Sequence, residues 1–196
     1  MDDREFFDKL APVWDENEIM STSERVEYIL DYMDLRAGQS VLDLGTGTGV
    51  LLPYIAKRVG NNGKIVGVDY SKEMLARAYK KFKGLSPSPE LLNLDFEREN
   101  IPGEYDRIIL YCVYPHLHNP EETLKWLIKV NLRENGKLFI AFPCVEDFIN
   151  NIHKERHSES DLLPSAKDLA SHLKTIGFDA EDLSADYVVS LCNFKS

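Results

Sequence analysis

The sequence has little that would staple it, anchor it or draw it to a polyanion. It holds three cysteines in 196 residues: Cys112, Cys144 and Cys192. An odd number set so far apart argues against a disulfide framework and for a reducing compartment. No apolar run approaches the ~18 residues that a membrane helix needs; the best, Ile108 to Tyr114, is far too short. Positive charge is in deficit, with Lys+Arg 23 against Asp+Glu 33 and a net charge of -10. A field of that sign repels phosphate backbones, which argues against a broad nucleic-acid surface. The opening, Met1-Asp2-Asp3-Arg4-Glu5, is too charged for a signal peptide. No repeat, low-complexity tract or Pro/Gly/Ser linker divides the chain. What remains is 43% hydrophobic and 29% charged, the composition of a globular protein. A single acidic, soluble, cytoplasmic domain over residues 1–196 is expected.

Strand-like and helix-like segments alternate, which implies an α/β fold with a mostly parallel sheet. Ser40 to Leu44 is an apolar run entering a glycine cluster. Val50, Leu51, Ile55, Ala56 and Val59 follow at helical spacing, and Pro53 places the helix start near Gly49. Lys64 to Val68 reads as a second strand ending at Asp69. Ser71 caps a helix with the buried stripe Met74, Leu75, Ala78 and Phe82. Leu91 to Leu94 is a third strand and Asp106 to Cys112 a fourth. Asn119-Pro120-Glu121-Glu122 combines an N-cap, a first-position proline and acids suited to the helix dipole. Leu124, Leu127, Ile128 and Leu132 carry that helix to the Asn135-Gly136 turn, before the strand Lys137 to Phe142. A helix opening on Ser165, boxed by Asp168, ends at Gly177. Phe178 to Leu183 and Tyr187 to Phe194, joined through Ala185-Asp186, suggest a hairpin and an antiparallel last strand. Residues 1–35 look helical, with Ser21 and Glu24 as a capping box.

Val41-Leu42-Asp43-Leu44-Gly45-Thr46-Gly47-Thr48-Gly49 is the informative segment. Glycines between a buried strand and a helix let backbone approach a ligand. A dinucleotide fingerprint is G-x-G-x-x-G; here the spacing is G-x-G-x-G, with Val50 where the third glycine would stand. Asp43, just before the glycines, would repel a pyrophosphate and attract an ammonium group. A ligand with positive charge and no phosphate fits, and S-adenosylmethionine has that description. Asp69, at the end of the second strand, can accept from both ribose hydroxyls. Asp95, followed by Phe96, can accept from an adenine amino group. Singly, the glycines could be a tight turn, Asp69 a helix cap and Asp95 a turn former. Together they mark the carboxyl ends of three successive strands, where open α/β sheets hold ligands.

On these residues the chain resembles the class I S-adenosylmethionine-dependent methyltransferases, particularly the small-molecule, ubiquinone/menaquinone-type group. The resemblance covers about residues 5–195. It rests on Val41 to Gly49 and on Val66-Gly67-Val68-Asp69-Tyr70-Ser71-Lys72-Glu73-Met74-Leu75. Asn93-Leu94-Asp95-Phe96, Tyr105 to Ile109 and Leu132 to Ile140 support them. It implies a Rossmann-like, seven-stranded, mostly parallel sheet with an antiparallel last strand and helices on both faces. It also implies a site in which Asp43, Gly45, Thr46, Gly47 and Gly49 hold the methionine end and Asp69 the ribose. Asp95 and Phe96 would hold the adenine, flanked by Tyr70 and Met74, with Tyr111 on the cofactor's side. Glu134-Asn135-Gly136 departs from the family's usual Pro/Gly pair as a turn variation.

The acceptor should approach the segment after the fourth strand, with Tyr111, Cys112, Tyr114, His116 and His118. A base is needed only where the acceptor carries a proton of high pKa. His116 is the candidate, with Tyr114 beside it; a loop histidine bonded to backbone is the alternative. His116 and His118 with His153 and His157 could ligate a metal, but no Cys or acid has matching spacing, so none is expected. Phe6 to Trp14 resembles an N-terminal lid with Trp14 over the cofactor; an amphipathic helix on the sheet edge is the alternative. Residues 143–164 read as a possible acceptor-side insertion, with Phe148, Ile149 and Ile152 as core or acceptor wall. Lys72, Arg77, Lys80, Lys81 and Lys83 read as a solvated helix face. No Asn-Pro-Pro-Tyr segment follows the fourth strand, which disfavours a DNA amino-methyltransferase. The expectation is methyl transfer to a small-molecule acceptor, without nucleic acid or membrane insertion. A nicotinamide-dependent oxidoreductase and a non-catalytic S-adenosylmethionine-binding protein stand as alternatives.

Overall fold

The computed structural model describes residues 3–17, 21–155, 162–183 and 186–194. Its strands are β1 (Ser40–Leu44), β2 (Lys64–Asp69), β3 (Glu90–Asn93), β4 (Tyr105–Tyr111), β5 (Leu132–Phe142), β6 (Phe178–Asp182) and β7 (Tyr187–Phe194). They form one sheet in the order β3-β2-β1-β4-β5-β7-β6. β1 to β5 pair in parallel, and β7 runs antiparallel to both β5 and β6. β1 and the last five residues of β2 are buried throughout. Such continuous apolar strands are what a parallel sheet covered on both faces requires.

The helices are α1 (Asp3–Leu10), α2 (Trp14–Asn17), α3 (Ser23–Asp31), α4 (Leu52–Val59), α5 (Lys72–Phe82), α6 (Pro120–Trp126), α7 (Glu146–Glu155) and α8 (Ala166–Thr175). On one face Val26, Ile29 and Leu30 of α3 and Leu52 and Ile55 of α4 pack over Val41, Ile109 and Phe139. On the other, Leu124 of α6 and Leu169 and Leu173 of α8 cover Leu42, Ile108, Leu138 and Leu191. Side-chain caps start the helices where sequence predicts them for α5 and α8. Ser71 Oγ accepts from the Met74 N–H, and Ser165 Oγ from the Asp168 N–H.

Several local expectations are corrected. The helix expected near Gly49 begins at Leu52, because the backbone is still turning through Gly49 at φ 85°. Thr22, not Ser21, caps α3; the Ser21 hydroxyl is hydrogen-bonded to Tyr111 instead. The Asn119 side chain does not cap α6; ahead of the helix, the Glu97 carboxylate accepts from the His118 and Asn119 N–H groups. Leu132 is not helical: α6 runs into a π-type turn over Leu127–Asn131, and Leu132 opens β5. β5 then carries an irregular stretch with Asn135 at φ 63° before regaining register at Lys137. Ile149 is core and Phe148 is exposed; the side chain of Ile152, like Ala185, lies outside the described residues.

The segment that follows α3 is fastened to the sheet by Arg107 of β4. Its Nε donates to the Met33 carbonyl at 3.0 Å and a terminal nitrogen to the Asp34 carbonyl at 3.3 Å. Arg107→Met would leave both carbonyls without this donor. A loss of about 3 kcal/mol is expected, lowering the thermal midpoint by roughly 6–12 °C; an unchanged melting curve would contradict this anchoring.

Candidate active site

The site is assembled at the carboxyl end of β1. Gly45, at φ 66°, passes so close to Val113 that a Cβ there would stand 2.4 Å from a Val113 methyl. Gly47, at φ 55°, is different: nothing except the Gly45 carbonyl, at 4.0 Å, would meet a Cβ there. One glycine therefore serves packing against the segment after β4, and the other keeps space open over the turn. The loop is held from below. Thr46 N–H donates to the Val68 carbonyl at 3.0 Å, and Thr46 Oγ1 donates to Asp43 Oδ2 at 2.7 Å.

Two buried carboxylates face this turn. Asp43 is 2% exposed, and burial, only partly offset by the Thr46 hydroxyl and aggravated by Asp69, pushes its pKa up to about 7. Asp69 accepts from the Gly47 N–H through Oδ2 and from the Ser71 N–H through Oδ1, both at 2.8 Å. Burial is again the largest influence and raises its pKa to about 6; those N–H groups oppose the rise and nearby Asp8 adds to it. Among the described residues, no lysine or arginine forms an ion pair with either acid. Acids without cations, beside an open glycine turn, suit a cationic ligand and would repel a pyrophosphate. The donor set thus fits S-adenosylmethionine.

The remaining candidates group around this pair. Leu94 N–H donates to the Asp69 carbonyl at 3.2 Å, which sets Asp95 and Phe96 beside the end of β2. Asp95 Oδ1 accepts from the Glu97 N–H at 3.2 Å, a turn contact that shares the carboxylate expected for adenine. Phe96 packs on the core's edge, and Met74 is buried in the first turn of α5. Tyr70, Trp14 and His116 all have ring contacts with Phe7, at centroid distances of 6.1, 5.7 and 5.7 Å. Tyr111 ends β4 in its bond to Ser21 at 2.9 Å. Tyr114 is half-buried; burial first, then Glu121, pushes its hydroxyl up to about 12.

Four residues carry the site's architecture through contacts that the sequence did not indicate. Asp8 accepts from the Ser71 hydroxyl and, at 3.4 Å, from the Glu73 N–H, adding a second acceptor at the start of α5. Asp15 accepts from Thr48 Oγ1 at 2.6 Å and from Lys81 Nζ at 2.9 Å. Burial opposes its ionisation, but Thr48 and Lys81 outweigh that and lower its pKa. Lys81 is therefore bound to the N-terminal segment rather than simply solvated. Ser21 joins α3 to β4. Glu97 accepts from His118 Nδ1 at 2.9 Å and from the Thr123 hydroxyl at 3.2 Å, besides its two N–H groups. No spacing marks these side chains, because their partners are 21 to 90 residues away. Among the described residues no metal-ligating cluster forms; the His153 side chain and His157 lie outside them.

A family model described as a methyltransferase domain matches residues 35–187. The chain belongs to that family and has the Rossmann-like fold of its S-adenosylmethionine-dependent members. A phosphatidylethanolamine N-methyltransferase of Cereibacter sphaeroides is 32% identical over 119 residues, 59% of this chain and 56% of that protein. A demethylmenaquinone methyltransferase of Lactobacillus johnsonii is 27% identical over 146 residues, 71% of this chain and 59% of that one. Among solved structures, an S-adenosylmethionine-dependent methyltransferase from Aquifex aeolicus is 25% identical with a TM-score of 0.66, covering 87% of this chain and 92% of that one. The chain spans about half the length of curated relatives it matches.

The raised acids give the site a signed pH dependence. The ligand-free native state keeps the Asp43 proton up to about pH 7 and the Asp69 proton up to about 6. The unfolded chain releases both near pH 4, so native stability from these groups falls as pH rises between about 4 and 7. A cationic ligand needs the ionised acids, so its affinity runs the other way. Calorimetry should show S-adenosylhomocysteine, through its ammonium, binding about tenfold or more weaker at pH 5.5 than at pH 7.5. Asp43→Asn should lower affinity at pH 7.5 and flatten the profile; a profile unaffected by it would remove Asp43 from ligand binding.

Proposed function

We propose that this chain transfers a methyl group from S-adenosylmethionine to a small-molecule acceptor. The observation that carries this reading is the buried pair Asp43 and Asp69, free of basic ion-pair partners among the described residues, around the open turn at Gly47. The same pair argues against a nicotinamide dinucleotide, whose pyrophosphate would meet Asp43. When bound, S-adenosylmethionine supplies an electrophilic methyl group on a sulfonium. Asp43 and the glycine turn would hold the methionine end, Asp69 the ribose, and Asp95 and Phe96, with Tyr70 and Met74, the adenine. Tyr111, at the end of β4, would lie on the cofactor's side.

Residues 1–35 act as the lid and N-terminal extension in this reading, with 143–164 on the acceptor side. Asp8 and Asp15 hold α1 and α2 against α5 and the glycine loop, while Phe7 gathers Trp14, Tyr70 and His116 beneath the segment. Such a cover excludes water and aligns the reacting partners. Tyr114 stays protonated at neutral pH and can donate to an acceptor but not remove its proton; His116 is the candidate base. The quinone-type subgroup has the motif resemblance and the Lactobacillus johnsonii relative in its support, but no side chain of the site selects a quinone. No helix among the described residues is long and apolar enough to cross a membrane. A cytoplasmic location belongs to this reading on the strength of cysteine usage.

Two measurements test the proposal. Titration calorimetry should show micromolar binding of S-adenosylhomocysteine and none of NADH; tight NADH binding without a response to the nucleoside would end the methyltransferase reading. Asp15→Ala should leave the protein folded yet raise hydrogen exchange across residues 3–17, with S-adenosylhomocysteine no longer restoring protection. Exchange identical to the unaltered chain would mean that the segment is held by apolar packing alone.

A further inference from the structure

We propose that Asp8 is a specificity residue of the cofactor site. Its carboxylate takes the acceptor position at the start of α5, beside Asp69, and so turns away adenosyl ligands that carry a phosphate on the ribose. Adenosyl ligands with both ribose hydroxyls free are accepted. This inference rests on the methyltransferase reading, in which Asp69 holds the ribose, and adds to it which adenosine derivatives are refused.

Ser71 brings the two acids together. Its N–H donates to Asp69 Oδ1 at 2.8 Å, and its hydroxyl donates to Asp8. Asp8 is close enough to add to the raised proton affinity of Asp69. It also accepts from the Glu73 N–H at 3.4 Å, while Ser71 Oγ accepts from the Met74 N–H at 3.2 Å. N–H groups with which a helix start can receive a phosphate are thus engaged from within the chain, by a carboxylate that the helix dipole favours. Ser71 is fully buried, at 0% exposure, so its hydroxyl has no solvent to turn to if Asp8 withdraws. Arg4 lies over the Tyr70 ring at 5.7 Å, and Lys72 is exposed at the first position of α5. Against these two cations stand Asp8, Asp69 and Glu73.

The two oxygens of Asp69 orient the ribose. Oδ2 faces the glycine turn through the Gly47 N–H, and Oδ1 faces α5 through the Ser71 N–H. A ribose whose 5′ carbon leads to the glycine turn and Asp43 presents its 2′ and 3′ hydroxyls to Asp69. A phosphate on either hydroxyl then stands against Asp8. Nucleotide-binding folds that admit a 2′-phosphate place an arginine near it; here the chain places a second acid. Like charges so juxtaposed are the repulsive element that specificity requires. Asp8 cannot retreat while its helix is seated. Phe7 beside it meets Trp14, Tyr70 and His116, and Ala11, one turn on, is 1% exposed. A phosphorylated ribose therefore competes with closure of the N-terminal segment, whereas a free ribose does not. Asp43 exerts the corresponding exclusion at the 5′ end, so the two acids guard different positions and can be separated by experiment.

The test titrates adenosine, 2′-AMP and 5′-AMP as competitors of S-adenosylhomocysteine on the full chain, with hydrogen exchange followed over residues 3–17. On the unaltered chain adenosine should compete about tenfold or more better than either nucleotide, a difference of 1.4 kcal/mol. Adenosine should also protect residues 3–17 where 2′-AMP does not. Asp8→Asn keeps an acceptor for the Ser71 hydroxyl and removes the charge. It should narrow the gap between adenosine and 2′-AMP to about threefold or less, with 5′-AMP still excluded. Asp8→Glu should retain both penalties, and Asp43→Asn should relax the 5′-AMP penalty alone. The proposal is overturned if 2′-AMP competes with, or protects, the unaltered chain as well as adenosine does. It is equally overturned if Asp8→Asn leaves the gap intact or moves both penalties alike, or if adenosine does not compete. Failure of S-adenosylhomocysteine to bind the unaltered chain would overturn the methyltransferase reading instead.

Discussion

The Asp69 carboxylate is the point at which β2, the glycine loop and α5 meet. Its two oxygens take N–H groups from Gly47 and Ser71, so one side chain sets the glycine turn and the start of the next helix. Such a bond to a charged acceptor stabilises by about 1.5–3 kcal/mol, yet the group is buried enough for its proton affinity to rise. Burial and hydrogen bonding therefore work against each other at this position. A cationic ligand relieves the strain, since it favours the ionised form that the N–H groups also prefer. Asp43, with the Thr46 hydroxyl bonded to it, is more unbalanced still.

The N-terminal segment depends on the same frame. Asp8 reaches the α5 start through the Ser71 hydroxyl, directly beside Asp69, and Asp15 reaches the glycine loop through Thr48. Both contacts end on groups that the glycine loop or the helix after β2 presents. The segment thereby brings two further carboxylates, Asp8 and Asp15, to the start of α5 and the glycine loop. On the opposite side, Glu97 ties the segment after β3 to the segment after β4 through His118, Asn119 and Thr123. The segments after β3 and β4 are thus joined by a single carboxylate, whose pKa is lowered because those donors outweigh its burial.

Much of this was legible in the sequence wherever the signal is local. β1, β2, α5, α8 and β7 lie where apolar runs, cap residues and turns place them. The glycine loop with its preceding acid was recognisable because strand, turn and helix start fall within nine consecutive residues. Boundaries were missed where a distant group intervened. Glu97 gathers the His118 and Asn119 N–H groups ahead of α6, where Asn119 makes no side-chain cap, and Tyr111 took Ser21 away from α3. Leu132 looked helical by spacing but found a place in β5 opposite Tyr105.

What the sequence by itself determined is the order of elements and the glycine turn after β1, because both follow from periodicity, capping and glycine chemistry within a few residues of chain. Which acids touch which donors was decided by tertiary structure alone. The parallel sheet brings the carboxyl ends of strands far apart in sequence onto one edge, and only there do Asp8, Asp69 and Gly47, or Ser21 and Tyr111, become neighbours. Proton affinity belongs to that second level: burial, not residue type, gives Asp43 a carboxyl that holds its proton up to about pH 7.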